Sequence, residues 1–185
     1  MKLKILPVLL IAVFPLIIAV PTTYANNSEI AIGFNLPFSG WLEQAGHHAK
    51  NAAELVRKDL EVSGGLKVGD KTYRVNFLYG DNKSDPSAAS KLVLDQVSRN
   101  NVIGIVGPLS SRHAIPVGQI ANAFSTPMIA SWSASPKTTE NRPFVFRSNS
   151  IFTKQGPVIT TFVADEFGAT KAAVLYDIVS PAPVE

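Results

Sequence analysis

"NVIGIVGPLSSRHAIPVGQIANAFSTPMIA", residues 101–130, decides the fold. The run from Val102 to Val106 is short and apolar, without the alternation of a strand wetted on one face. It fits a strand covered on both faces, as strands of a parallel sheet are. From Ser111 to about Phe124 the apolar residues fall at helical spacing, and Pro127 to Ala130 is a second short apolar run. Strand, helix and strand in this succession form a βαβ unit, which implies a parallel sheet and a right-handed crossover.

The flanking sequence repeats the pattern. Glu29 to Leu36 alternates and reads as a strand, and a helix is expected from about Gln44 to Val62, closed by Gly64-Gly65. Tyr73 to Tyr79 alternates again after a turn at Gly69-Asp70. Asp85-Pro86 is a helix start, because the carboxylate caps free N–H groups and proline at the first helical position gives up no hydrogen bond. That helix runs to about Asn100. Beyond Ser131 the sequence predicts a loop, a strand at Phe144 to Arg147, a helix from about Thr153 to Phe167 and a strand at Ala172 to Tyr176. The fold class is α/β, with a parallel, Rossmann-like (flavodoxin-like) sheet. No repeat, low-complexity stretch or internal linker interrupts it.

At the amino terminus Lys2 and Lys4 precede an apolar run from Ile5 to Val20, and Thr23-Tyr24-Ala25 ends on a small residue. This is the layout of a secretory signal peptide cleaved after about Ala25. A membrane anchor of similar length is the alternative, but Pro7, Pro15 and Pro21 interrupt the run. The chain has no cysteine, so no lipid-modified cysteine and no disulfide is available and the fold depends on its core. The leader holds two of the 17 basic residues, leaving 15 against 14 acidic ones. Near neutrality argues against nucleic acid or an anionic membrane as partner. Residues 26–185 suffice for one α/β domain and are too few for two.

In an open parallel sheet ligands bind beyond the carboxyl ends of the strands, where helix amino termini present free N–H groups. The loops there are Pro37–Trp41, Gly80–Ser84, Gly107–His113 and Ser131–Pro136. None is a phosphate loop: GxxxxGK[ST] is absent and no GxGxxG follows the first strand. They are rich in hydroxyls instead. A serine at the start of a helix donates to an anion faced by the same free amides, and it equally caps the helix, so Ser110 and Ser111 fit both roles. Two such loops side by side make a carboxylate-sized pocket.

"GFNLPFSGWLEQAG", "AAELVRKDLEVSGGL", "YGDNKSDPSAA", "IGIVGPLSS" and "PMIASWSASP" together resemble the amino-terminal lobe of the periplasmic binding proteins that serve branched-chain amino acid and amide ABC transporters. The resemblance implies a type I two-lobed fold of which this chain holds residues 26–185 as one lobe, the second lobe missing. It implies a periplasmic protein that delivers an amino acid or related carboxylate or amide to an ABC permease, without cofactor. Ser111 falls on the family's carboxylate-binding serine, and Ser133 where the fourth loop offers backbone groups to the same carboxylate. Ala134 replaces a threonine usual in the amino acid binders. Ala45 stands where some relatives carry a large aromatic, a face that Trp41 supplies from elsewhere in its loop. Ser84 and Ser110 occupy the places of two cysteines bridged in some members. Relatives continue for about as long again, so the sequence reads as a truncated frame or a fragment, expected to bind more weakly than a full-length relative.

Other readings compete. Arg112 either turns inward, to grip a second carboxylate in a bidentate fashion, or lies on the surface. Trp41 and Trp132 are either ligand-stacking walls or packing at the edge, and Asp81 reads as a turn former. His47 and His48 lack metal-ligand spacing, and no metal is expected. His113, two residues from Ser111, invites a hydrolase reading, but no GxSxG elbow or orienting acid accompanies it, so the chain is read as no enzyme. A ligand-sensing receptor domain of the same fold, or a fragment inactive by itself, are the alternatives to transport.

Overall fold

The computed structural model describes residues 28–173 and residue 175. The expected leader, and Val174 and Tyr176 of the expected last strand, lie outside the described residues. Ala172, Ala173 and Leu175 belong to no strand and are exposed.

Six strands form one sheet in the order β2-β3-β1-β4-β5-β6. They are β1 (Ser28–Leu36), β2 (Leu66–Val68), β3 (Lys71–Asp81), β4 (Gly104–Val106), β5 (Met128–Ala130) and β6 (Val145–Arg147). All neighbours pair in parallel except β2, which runs antiparallel to β3 at one edge. The helices are α1 (Glu43–Val62), α2 (Pro86–Ser98), α3 (Ser111–Ala123) and α4 (Phe152–Phe167). The β2 hairpin was not foreseen: three exposed residues leave no pattern to read.

Helix starts follow local chemistry. The Asp85 side chain accepts from the Ala88 N–H at 2.7 Å, with Pro86 in the first helical position. Ser110 accepts from the Arg112 N–H at 3.3 Å and caps α3. Gly46 allows α1 to dock on the first loop, since a Cβ there would stand 1.8 Å from the Pro37 carbonyl oxygen. Gly107 has φ +95° and packs against the Asn35 carbonyl, a backbone that no larger residue adopts without strain.

The main core lies between the sheet and the α2–α3 layer, where Ala89, Val93, Ile105, Val117, Met128 and Val145 are buried together. A second cluster, with Phe34, Leu36 and Leu109 at its centre, packs under α1. The expectation that β5 is covered on both faces is corrected here. Met128 and Ala130 are wholly buried, but Ile129 between them is 47% exposed and Phe146 of β6 is 53% exposed. Among the described residues α1 lies over β1 and β3, and the cluster beneath it reaches Val106 of β4. No residue of α4 is buried either.

Candidate functional site

The loop that follows β1 and the loop that follows β3 are fastened to each other. Asp81 accepts from the N–H groups of Phe38 (2.8 Å), Ser39 (3.2 Å) and Lys83 (2.8 Å) and from the Ser39 hydroxyl (2.7 Å). Burial works to raise its pKa, but these hydrogen bonds, from Ser39 foremost, outweigh it and hold the carboxyl below the usual range. Ser84 adds a second tie, donating to the Ser39 carbonyl (2.8 Å) and accepting from the Leu42 N–H (3.1 Å). Beneath them Asn82 donates to the Asn35 side chain (3.0 Å), and Asn35 donates to the Ala89 carbonyl (2.8 Å).

The loops after β4 and β5 meet through their hydroxyls. The Ser111 and Ser133 oxygens lie 2.9 Å apart, and Ser133 bonds in turn to the buried Thr138 hydroxyl. Ser111 Oγ also accepts from the Ser135 N–H at 3.3 Å. Ser111 occupies the first position of α3, so its own N–H has no partner within the helix. Among the described residues the Ser133 and Ala134 N–H groups have no acceptor either. The Ser135 hydroxyl is buried without a partner. The arrangement is a cluster of donors, hydroxyl and amide, at one point on the carboxyl edge of the sheet. Such a cluster stabilises negative charge, and the positive end of the α3 dipole adds to it.

Ser110 spends its hydroxyl on the cap, and Arg112 is exposed. Ala134 is buried and offers backbone alone. Trp41 is 68% exposed, with its ring centroid 6.3 Å from that of His113, and Trp132 is 57% exposed. His47 is exposed near Glu43, and among the described residues no three His, Asp or Glu side chains gather as a metal site would require. His113 is fully buried, and neither ring nitrogen bonds to Ser111. It therefore makes no Ser–His pair with Ser111. Burial pushes its pKa down; the Ser84 backbone and Asp85 oppose the shift and the Arg112 charge adds to it.

Sequence reasoning passed over Thr138 and Arg147. Thr138 sits in a single 3-10 turn, Pro136–Thr138, whose only signal is the Ser135-Pro136 start. Arg147, on β6, donates to the carbonyls of Ser135 (2.6 Å) and Pro136 (3.3 Å) and to the Thr139 hydroxyl. Its contacts reach 8 to 12 residues back along the chain, beyond the span of a helical turn or a strand alternation, so local pattern carries no trace of them.

Comparison with known proteins agrees with this architecture. The family described as periplasmic binding protein matches residues 29–183. The chain is 28% identical over 155 residues to the Leu/Ile/Val-binding protein homolog 2 of Brucella abortus, covering 81% of this chain and 39% of that protein. It is 25% identical to the leucine-specific-binding protein of Salmonella typhimurium, covering 83% and 40% of the two. The chain thus spans about two fifths of the length of the curated relatives it matches. Its fold is similar to the substrate binding protein LivJ of Streptococcus pneumoniae, solved with isoleucine (TM-score 0.70, 24% identity, 77% of this chain and 40% of that one). It is also similar to a solute binding protein of R. palustris solved with 4-hydroxybenzoate (TM-score 0.68, 24% identity, 84% and 40%).

Proposed function

We propose that this chain, which belongs to the periplasmic binding protein family, captures a small carboxylate-bearing solute, an amino acid or an aromatic acid, for an ABC permease. The observation that carries the reading is the meeting of the Ser111 and Ser133 hydroxyls at 2.9 Å beside the unpartnered amides of Ser133 and Ala134. A leucine-specific relative and neighbours solved with isoleucine and with 4-hydroxybenzoate support the ligand class, since a carboxylate is common to all three. In this reading the protein acts in the periplasm, after loss of the leader at residues 1–25.

The hydroxyls have defined roles. With Thr138 donating to Ser133 and Ser133 to Ser111, Ser111 accepts twice, counting the Ser135 N–H, and its own proton is free for the ligand. Ser133 and Thr138 polarise that proton from behind, and the Ser133 and Ala134 amides take the second carboxylate oxygen. Trp41 and Trp132 flank the ligand, and Ser110 and Arg112 line the rim. Nothing here activates a nucleophile, because the His113 ring is buried away from Ser111, so the ligand is held unchanged.

The test is titration of the purified chain with L-isoleucine and 4-hydroxybenzoate to millimolar concentration, followed by ligand-detected NMR, with the matching carboxamides as controls. Carboxylates should bind and carboxamides should not. Ser111→Ala should weaken carboxylate binding by about tenfold, the loss of one hydrogen bond to a charged group. Equal binding of acid and amide, or no change in Ser111→Ala, would contradict the reading.

A further inference from the structure

The loop after β5 is held from its rear by one short run of chain. Ser148 Oγ donates to the Ser131 carbonyl (3.0 Å), Asn149 Nδ2 to the Trp132 carbonyl (3.0 Å) and the Phe152 N–H to the Ala134 carbonyl (3.1 Å). Arg147 takes the next two carbonyls, those of Ser135 and Pro136. In a trans peptide the C=O and the following N–H point in opposite directions. The Ala134–Ser135 unit displays this: its carbonyl meets Phe152, and its N–H meets Ser111 Oγ on the other side. By the same geometry, fixing the Trp132 carbonyl on Asn149 turns the Ser133 N–H away from the 147–152 segment.

We infer that Asn149 is a positioning residue for the carboxylate site: it holds the Trp132 carbonyl from behind and so aims the Ser133 amide forward. This rests on the carboxylate reading proposed above. The Asn149 side chain makes no hydrogen bond to the site hydroxyls and acts through the Trp132 carbonyl. Among the described residues no carboxylate lies within ion-pair distance of Arg147, and burial lowers its pKa. The carbonyls that Arg147 takes are followed by the Pro136 nitrogen, which has no N–H, and by the Lys137 N–H, so Arg147 fastens the loop without aiming a site amide. Asn149 is exposed, so its contribution to the core is small and its replacement leaves folding intact.

The experiment uses the full chain, labelled with ¹⁵N, in wild-type, Asn149→Ala, Asn149→Gln and Arg147→Lys forms, with sodium acetate and acetamide as probes. In Asn149→Ala the amide signals of Ser133 and Ala134 should shift without ligand while those of Met128 to Ala130 stay in place. Acetate-induced shifts at Ser111 and Ser133 should need about three- to tenfold more acetate, the response to acetamide should not change, and Asn149→Gln should recover part of the loss. Arg147→Lys, which loosens only the Ser135 and Pro136 carbonyls, is the control and should leave the Ser133 amide signal and the acetate response as in wild type. Unmoved Ser133 and Ala134 signals in Asn149→Ala would overturn the inference, as would an acetate response equal to wild type. If wild-type protein ignores acetate while those signals still move, the carboxylate reading fails and the positioning role stands.

Discussion

At the scale of single residues, His113 gives the clearest consequence. Its ring is fully buried, so the neutral form is favoured in the folded protein and, although the Ser84 backbone opposes the shift, the pKa falls below its ordinary 6.5. The unfolded chain therefore takes up this proton first as pH drops. Stability from the neutral ring is present in full above about pH 6.5 and is lost progressively below it, toward the lowered folded value. Thermal unfolding should shift downward between about pH 7 and pH 5.5, and less so in His113→Leu, which keeps the volume without the charge. The His113 ring signals in NMR should titrate below 6.5; titration at or above that value would contradict a buried ring. Sequence proximity to Ser111 suggested a hydrolytic pair, and it was the helix geometry that separated them. Ser110 and Ser111 show the same lesson from the other side. Two adjacent serines left capping and anion contact open, and the structure gives the capping bond to Ser110 and the cross-loop bond to Ser111.

At the scale of elements, the βαβ unit in residues 101–130 was legible because apolar runs and helical spacing are local signals. The Asp85-Pro86 start was legible for the same reason, since a cap is made within one turn. What sequence did not disclose depends on neighbours far along the chain. The short apolar run of β5 looked covered on both faces, yet the structure splits it into buried Met128 and Ala130 and exposed Ile129. Core substitutions should follow that split. Met128→Ala should cost about 2–5 kcal/mol, whereas Ile129→Thr should stay within about 0.5 kcal/mol in denaturant unfolding. A cost at Ile129 comparable to that at Met128 would mean the face is covered. The clamp made by Asp81 was likewise read only as a turn, because its partners Phe38 and Ser39 lie in another loop.

At the scale of the whole molecule, the parallel sheet brings the four loops of its carboxyl edge together, and each solves a different part of one problem. Asp81 and Ser84 fasten the first two loops to each other, and Ser111 and Ser133 join the next two. The run from Arg147 to Phe152 supports the last of them and leads into α4, none of whose residues is buried. Trp41 and Trp132, in the first and the last of these loops, are both exposed. The most direct measurement of the central claim is a crystal structure of this chain with 4-hydroxybenzoate or L-isoleucine bound. The account predicts one carboxylate oxygen within about 3 Å of Ser111 Oγ and the other within about 3 Å of the Ser133 or Ala134 amide. A ligand whose carboxylate lies elsewhere, for example in the cleft of Arg57 and Arg74 between α1 and β3, would contradict it.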